Sequence, residues 1–205
     1  MKIKYYYKII LFLILIAAFY GCAKLDKDYP VRNYYTLSVQ RPPGNFGNEI
    51  DKILEFTRMN ISPNFNGREF VYKLDDSKFD SDFYNQFFSP PAVLLSVEVG
   101  RWIGSSKIFK NVIDPFTPIH PNYALYGTIK ELFGDFSKSK PEAVLSIHFY
   151  LLDESDIDSK IIFNSAYSEK IEINSKSAKS LIEGWNNALA MILSNLESDL
   201  KKLDL

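Results

Sequence analysis

One residue in this chain carries a nucleophilic sulfur. Cys22 is the only cysteine among 205 residues, so an intrachain disulfide is excluded and the thiol remains free for a thioether. Two histidines, His120 and His148, are the next candidates for chemistry. His120 lies in "DPFTPIHPN" with no Cys, Asp or Glu at ligand spacing, and zinc needs three or four clustered ligands. His148 faces opposite the apolar row of its segment, so both histidines read as solvated or hydrogen-bonded groups. No G-x-S-x-G elbow and no G-x-x-x-x-G-K-[ST] loop occurs, and "GSSK" (104–107) has the wrong spacing for S-x-x-K. The carboxylates of "LDDSKFDSD" (74–82) and "LLDESDID" (151–158) could pair as acid and base, but acidic loops of this kind read as solvated surface. The sequence therefore assigns no catalytic, cofactor-binding or metal-binding residue. Cys22 alone has an assignable chemistry.

The residues before Cys22 define that chemistry. Lys2, Lys4 and Lys8 give a positive start, Ile9–Phe19 is an unbroken apolar run, and Gly21 is a small residue just before the thiol. This is the layout of a secretory signal peptide over residues 1–21. Eleven apolar residues are too few for a helical span, which needs roughly 20. A cleavage site with Gly before Cys resembles the lipobox of bacterial lipoproteins, with Phe19 where Leu is usual. That resemblance implies that Cys22 is lipidated and becomes the first residue of the mature chain. Residues 22–33, polar and holding Pro30, then read as a lipidated tether.

Cleavage would remove three lysines and leave a formal charge of −4. Phosphate binding needs clustered Lys and Arg, so no nucleic-acid partner is indicated. At 46% hydrophobic and 15% aromatic residues the chain is not disordered, and 34–205 suits one domain.

Strand-forming runs appear at "YYTLSV" (34–39), "ILEFTRMNI" (53–61), whose pattern a short helix would also fit, "REFVYK" (68–73), "YALYGTIKELF" (123–133), "AVLSIHFYLL" (143–152) and "KIIFNSAYSEKIEI" (160–173). "SPPAVLLSVEVGRWIGSS" predicts a helix opened by Pro90 and Pro91, with Gly104 as its stop. Residues 176–203 predict a long helix with Leu181, Trp185, Ala188, Leu189, Ile192, Leu196 and Leu200 on one face and Asn186 on another. Strands, helix, strands and long helix make an α/β fold.

Taken in order, these segments resemble the ABC-type transport auxiliary lipoproteins, which include the paraquat-inducible C-type lipoproteins. "YYTL", "REFVYK", "FYNQFFSPPAVLL", "WIGSSKIFKNVID", "YALYGTIKELFGDF", "AVLSIHFYLLD" and "LIEGWNNALAMILSNLESDL" carry the likeness over residues 34–203. Lys73 stands where the family usually has Arg, and Phe87 where Trp is common. The resemblance implies a three-layer α/β domain at 34–205, a mixed sheet flanked by helices with a long C-terminal helix. It also implies a non-enzymatic lipoprotein without a cofactor, in the outer membrane and facing the periplasm. Its partners would be an MCE-domain periplasmic protein and an ABC permease and ATPase that move lipid, and a homo-oligomer is compatible with that role. The alternative is a periplasm-facing lipoprotein that binds a small hydrophobic ligand or glycan on its own. A further rival, a lipoprotein with hydrolase activity, would need a His–carboxylate–Ser cluster.

Each acyl methylene contributes about 0.8 kcal/mol to membrane binding, and one myristoyl chain alone holds only marginally. Two or three longer chains on Cys22 are expected to hold the protein almost permanently. Cys22→Ser is expected to abolish palmitate labelling and leave an uncleaved precursor. A variant that still labels would refute the lipobox reading.

Overall fold

The structure, a computed structural model, describes residues 31–43, 49–156, 158–203 and 205. Cys22, the expected signal peptide and the tether up to residue 30 lie outside the described residues. Arg32–Leu205 forms one compact unit. It is a mixed nine-stranded sheet flanked by two helices, the second of them long and C-terminal.

The strand β7 (Tyr123–Asp135) organises the sheet. Its sequence alternates inward apolar and outward polar residues, the pattern of a strand with one buried face. Along one edge it pairs antiparallel with β8 (Glu142–Asp153), which pairs with β9 (Lys160–Glu172). Its other edge is shared in tandem by three parallel partners: β2 (Ile50–Phe56), β3 (Asn60–Ile61) and β4 (Glu69–Lys73). Beyond β4 come β5 (Phe79–Phe87) and the edge strand β1 (Asn33–Tyr35), and beyond β2 lies β6 (Phe109–Ile113). The predicted strand 53–61 is thus two strands with a break at 57–59. Backbone groups at a break need partners. Thr57 N–H donates to the Leu125 carbonyl at 3.1 Å, and Met59 N–H donates to Ser96 Oγ at 2.9 Å.

Helix α1 (Pro91–Ser106) begins at the two prolines, as expected, but Gly104 does not stop it. The helix runs on to Lys107, which takes the left-handed conformation (φ 57°) that ends helices. A non-glycine residue fills this position at some steric cost. Helix α2 (Ala178–Leu200) is capped by Ser177, whose side chain accepts from Ser180 N–H at 3.2 Å. Its predicted face is fully buried: Leu181, Trp185, Ala188, Leu189, Ile192, Leu196 and Leu200 are all 0% exposed. Leu145, Ile147, Phe149 and Leu151 of β8 complete the core beneath the helix, also at 0%. The Trp185 ring meets Phe70 edge-on at 5.1 Å and lies 5.5 Å from Phe87. Its Nε1 donates to the Val144 carbonyl at 3.2 Å, so the buried indole loses no hydrogen bond.

Among the described residues, every buried side chain falls between Leu37 and Leu200. A fragment 23–205 therefore carries the whole core. Three differences from the expected strands have local causes. β5 exposes five of its nine residues, so its sequence lacks a clean apolar alternation, and β6 is only five residues long. β1 is shorter than 34–39 because its partner β5 ends at Phe87, and pairing stops at Tyr35.

Gly184 sets how closely α2 approaches the sheet. A Cβ there would stand 2.6 Å from Ala143 Cβ, and that methyl is fixed to its strand. Trp185→Ala is expected to cost about 3–5 kcal/mol, and Gly184→Ala at least about 1 kcal/mol by forcing the helix outward. Asn186→Ala is expected to cost about 1 kcal/mol, the worth of one hydrogen bond. Urea denaturation of the three variants tests this order; equal midpoints would remove α2 from the core.

Candidate functional site

The tether continues into a segment, residues 36–41, that has left the sheet but remains tied to both helices. Leu37 and Val39 stay buried, continuing the inward period of β1. Side chains now replace the missing strand. Glu98 of α1 accepts from Val39 N–H at 2.8 Å, and Arg101 donates to the Val39 carbonyl at 2.9 Å. Arg101 also pairs with Glu98. From α2, Asn186 Oδ1 accepts from Ser38 N–H at 3.0 Å. Asn186 lies off the core face as expected, yet it has a structural partner that the sequence did not reveal.

The clamp ends on a buried carboxylate. Arg41 grips Glu197 with a two-pronged contact, Nε to Oε2 at 2.8 Å and Nη2 to Oε1 at 2.7 Å. Trp102 Nε1 donates to Oε2 at 2.9 Å, and Lys201 Nζ to Oε1 at 2.6 Å. Four donors meet two carboxylate oxygens, which satisfies all their lone-pair sites. Burial pushes the carboxyl upward, but hydrogen bonds and charge from Arg41 and Lys201 outweigh it and hold the group at about 2. The same contact raises Arg41. A cleft of about 330 Å³ opens beside this cluster, lined by Arg41, Pro42, Trp102, Ser194, Glu197 and Lys201.

The other candidates stay apart. His148 contacts Asn164 through Nε2, and its Nδ1 meets the Tyr150 hydroxyl at 2.9 Å. It lies on the face of β8 opposite Ile147 and Phe149, as its spacing indicated. His120 is exposed in the proline loop before β7. The acidic run 74–82, read as a loop, closes a turn at its start and then enters β5 at Phe79: Asp75 accepts from Ser77 and Lys78 amides at 2.9 and 2.7 Å, and in the other run Asp153 accepts from the Ser155 amide at 3.0 Å. Those backbone donors hold both carboxyls below their usual range. Among the described residues, no three His, Cys, Asp or Glu side chains converge as metal ligands, and no helix is long and apolar enough to cross a membrane.

No protein-family model matches this chain, and no curated protein does. Solved structures do. The chain is similar to a Xanthomonas campestris protein of the DUF330 family model, with a TM-score of 0.71 and 14% identity over 80% of this chain and 92% of that one. An uncharacterized protein matches with a TM-score of 0.66 and 13% identity, over 83% of this chain and 99% of that one. A hypothetical protein from Chlamydia trachomatis follows at 0.52 and 11%, over 74% and 98%. The fold is shared with these proteins.

The Glu197 cluster generates a pH dependence of defined sign. The carboxyl titrates near 4.5 when unperturbed and at about 2 in the fold. A depressed folded value gives stability that is complete above pH 4.5 and lost as pH falls towards 2. The amount is on the order of 3 kcal/mol at 1.36 kcal/mol per unit. Urea midpoints measured from pH 6 down to 2 should fall in the native protein, with a shallower decline in Glu197→Gln. Parallel declines in the two proteins would show that Glu197 is not the titrating group.

Proposed function

We propose that this protein is a non-enzymatic, lipid-anchored accessory of an MCE/ABC-type envelope lipid transport system. Acyl chains on Cys22 hold it in the outer membrane, and the domain faces the periplasm. The observation that carries the reading is an ordered one. The segments that resemble the auxiliary lipoproteins fall, in the same order, on the elements of a fold shared with a DUF330 protein. "YYTL" covers the end of β1 and the residues after it, "REFVYK" ends in β4, and "FYNQFFSPPAVLL" turns β5 into α1. "WIGSSKIFKNVID" joins α1 to β6, and the remaining segments are β7, β8 and α2.

The clamp on residues 36–41 supports the same role. A lipid on Cys22 would pull first on β1, which is paired with β5, and then on the segment that both helices grip. Docking to an MCE-domain protein then falls to exposed loops and sheet edges, because the apolar stripes are consumed by the core.

The experiment is a pull-down with fragment 23–205 against the MCE-domain protein of the same organism, together with inspection of the neighbouring genes. The expected outcome is capture of the MCE protein and a gene beside those for the MCE protein, permease and ATPase. An isolated gene, no capture, and measurable esterase or glycosidase turnover would overturn the reading.

A further inference from the structure

Four exposed aromatic residues lie where the tether enters the sheet, on β1, on β5 and just past β5. In β5, Asp82 stands opposite Phe70 while Gln86 stands opposite Glu69, so Phe83, Tyr84 and Asn85 have no partner in β4. Such a bulge re-aims side chains away from the sheet. Asp82 locks it, accepting from Tyr84 N–H at 2.8 Å, Asn85 N–H at 3.0 Å, Asn85 Nδ2 at 2.7 Å and the Tyr72 hydroxyl at 2.6 Å. The result is a fixed display of two rings, Phe83 and Tyr84, each 50% exposed and set edge to face at 5.4 Å. Tyr34 on the neighbouring β1 is also 50% exposed, and Phe88 just past β5 is 66% exposed. Two cations complete the patch. Arg32 lies 4.1 Å from the Phe83 ring centre, and Arg68 lies 5.1 Å from that of Tyr34.

We infer that this patch is a membrane-interface contact that seats the domain on an anionic lipid surface. The inference rests on the lipidated reading of Cys22 for its geometry. Arg32 is ten residue steps from Cys22, and ten fully extended residues span at most about 35 Å. An acylated thiol therefore keeps Arg32 and its aromatic neighbours within that distance of the bilayer. Aromatic rings with polar edges and arginines with long apolar stems are suited to the headgroup layer. The guanidinium groups over the rings can meet lipid phosphates while the rings enter the acyl boundary. With acyl chains supplying the affinity, the patch supplies orientation: it fixes which side of the domain faces lipid and which faces the periplasm.

The test uses fragment 23–205, which lacks Cys22 and so separates the patch from lipidation. Flotation with phosphatidylglycerol/phosphatidylethanolamine vesicles should show weak, salt-sensitive binding, reduced on phosphatidylcholine. The double variant Phe83→Ser/Tyr84→Ser should bind about tenfold more weakly, and Arg32→Gln should lose most of the preference for anionic lipid. Phe116→Ser, exposed in the loop before β7, should bind like the parent. Circular dichroism melting of each variant controls for folding. The inference is overturned by a fragment that does not float, or by a folded double variant that floats as well as the parent. Loss of MCE-protein capture with unchanged flotation would make the patch a protein contact and would equally overturn it. Loss of palmitate labelling on Cys22→Ser is a separate result and tests the lipidated reading alone.

Discussion

A carboxylate that is nine-tenths buried stays charged only where cations and donors surround it, and Glu197 is built to that requirement. Its donors come from three places far apart in sequence: Arg41 in the segment after β1, Trp102 in α1 and Lys201 just past α2. Removing Glu197 would leave the Trp102 indole N–H and the Arg41 guanidinium without this acceptor, while removing one donor leaves a buried carboxylate oxygen under-satisfied; either costs more than an exposed ion pair contributes. The cluster therefore fixes the relative position of the two helices and the incoming segment together. Hydrophobic burial could hold the helices on the sheet, but burial is non-directional and does not specify where residues 36–41 must run. The paired charge does. Glu98 and Arg101 extend the same logic one residue pair upstream, giving Val39 both of its backbone partners.

How much of this was legible in the sequence follows from where periodicity is strong. Helix α2 was readable residue by residue because seven apolar positions repeat at helical spacing and all seven are buried. Strands β7, β8 and β9 were equally plain, since each is long enough for the period of two to stand out. β5 was hidden because it exposes Phe79, Asp80 and Ser81 and bulges at 83–85, so its apolar residues mark neither face consistently. β6 is a five-residue edge strand with too short a pattern. Gly104 looked like a helix stop by residue type, whereas the chain used Lys107 at positive φ instead. The clamp was invisible for a different reason. Its members are ordinary charged residues at 41, 98, 101 and 197, and only the tertiary fold brings them together.

Chemistry was legible chiefly as spacing, and the structure explains the fate of each candidate. The acidic runs close turns through backbone amides, and that local use leaves their carboxylates committed. His148 is held between Tyr150 and Asn164 on a polar sheet face. Cys22 lies outside the described residues, so its assignment still rests on the residues around it.

The placement of exposed apolar groups gives the molecule a polarity of its own. The β1–β5–β4 side joins β7 at Gly134 and Asp135, its C-terminal end. The loop carrying Phe116, 97% exposed, and Ile119, 50% exposed, leads into β7 at Tyr123, its N-terminal end. Other exposed apolar side chains, such as Val97, Ile161 and Met191, lie singly elsewhere on the surface, as is usual. The first group is bound to the point where the tether enters, and the second is carried on a proline-rich loop whose backbone is stiffened by Pro115, Pro118 and Pro121. Because β7 is paired along both edges, it couples these two regions as a rigid strut.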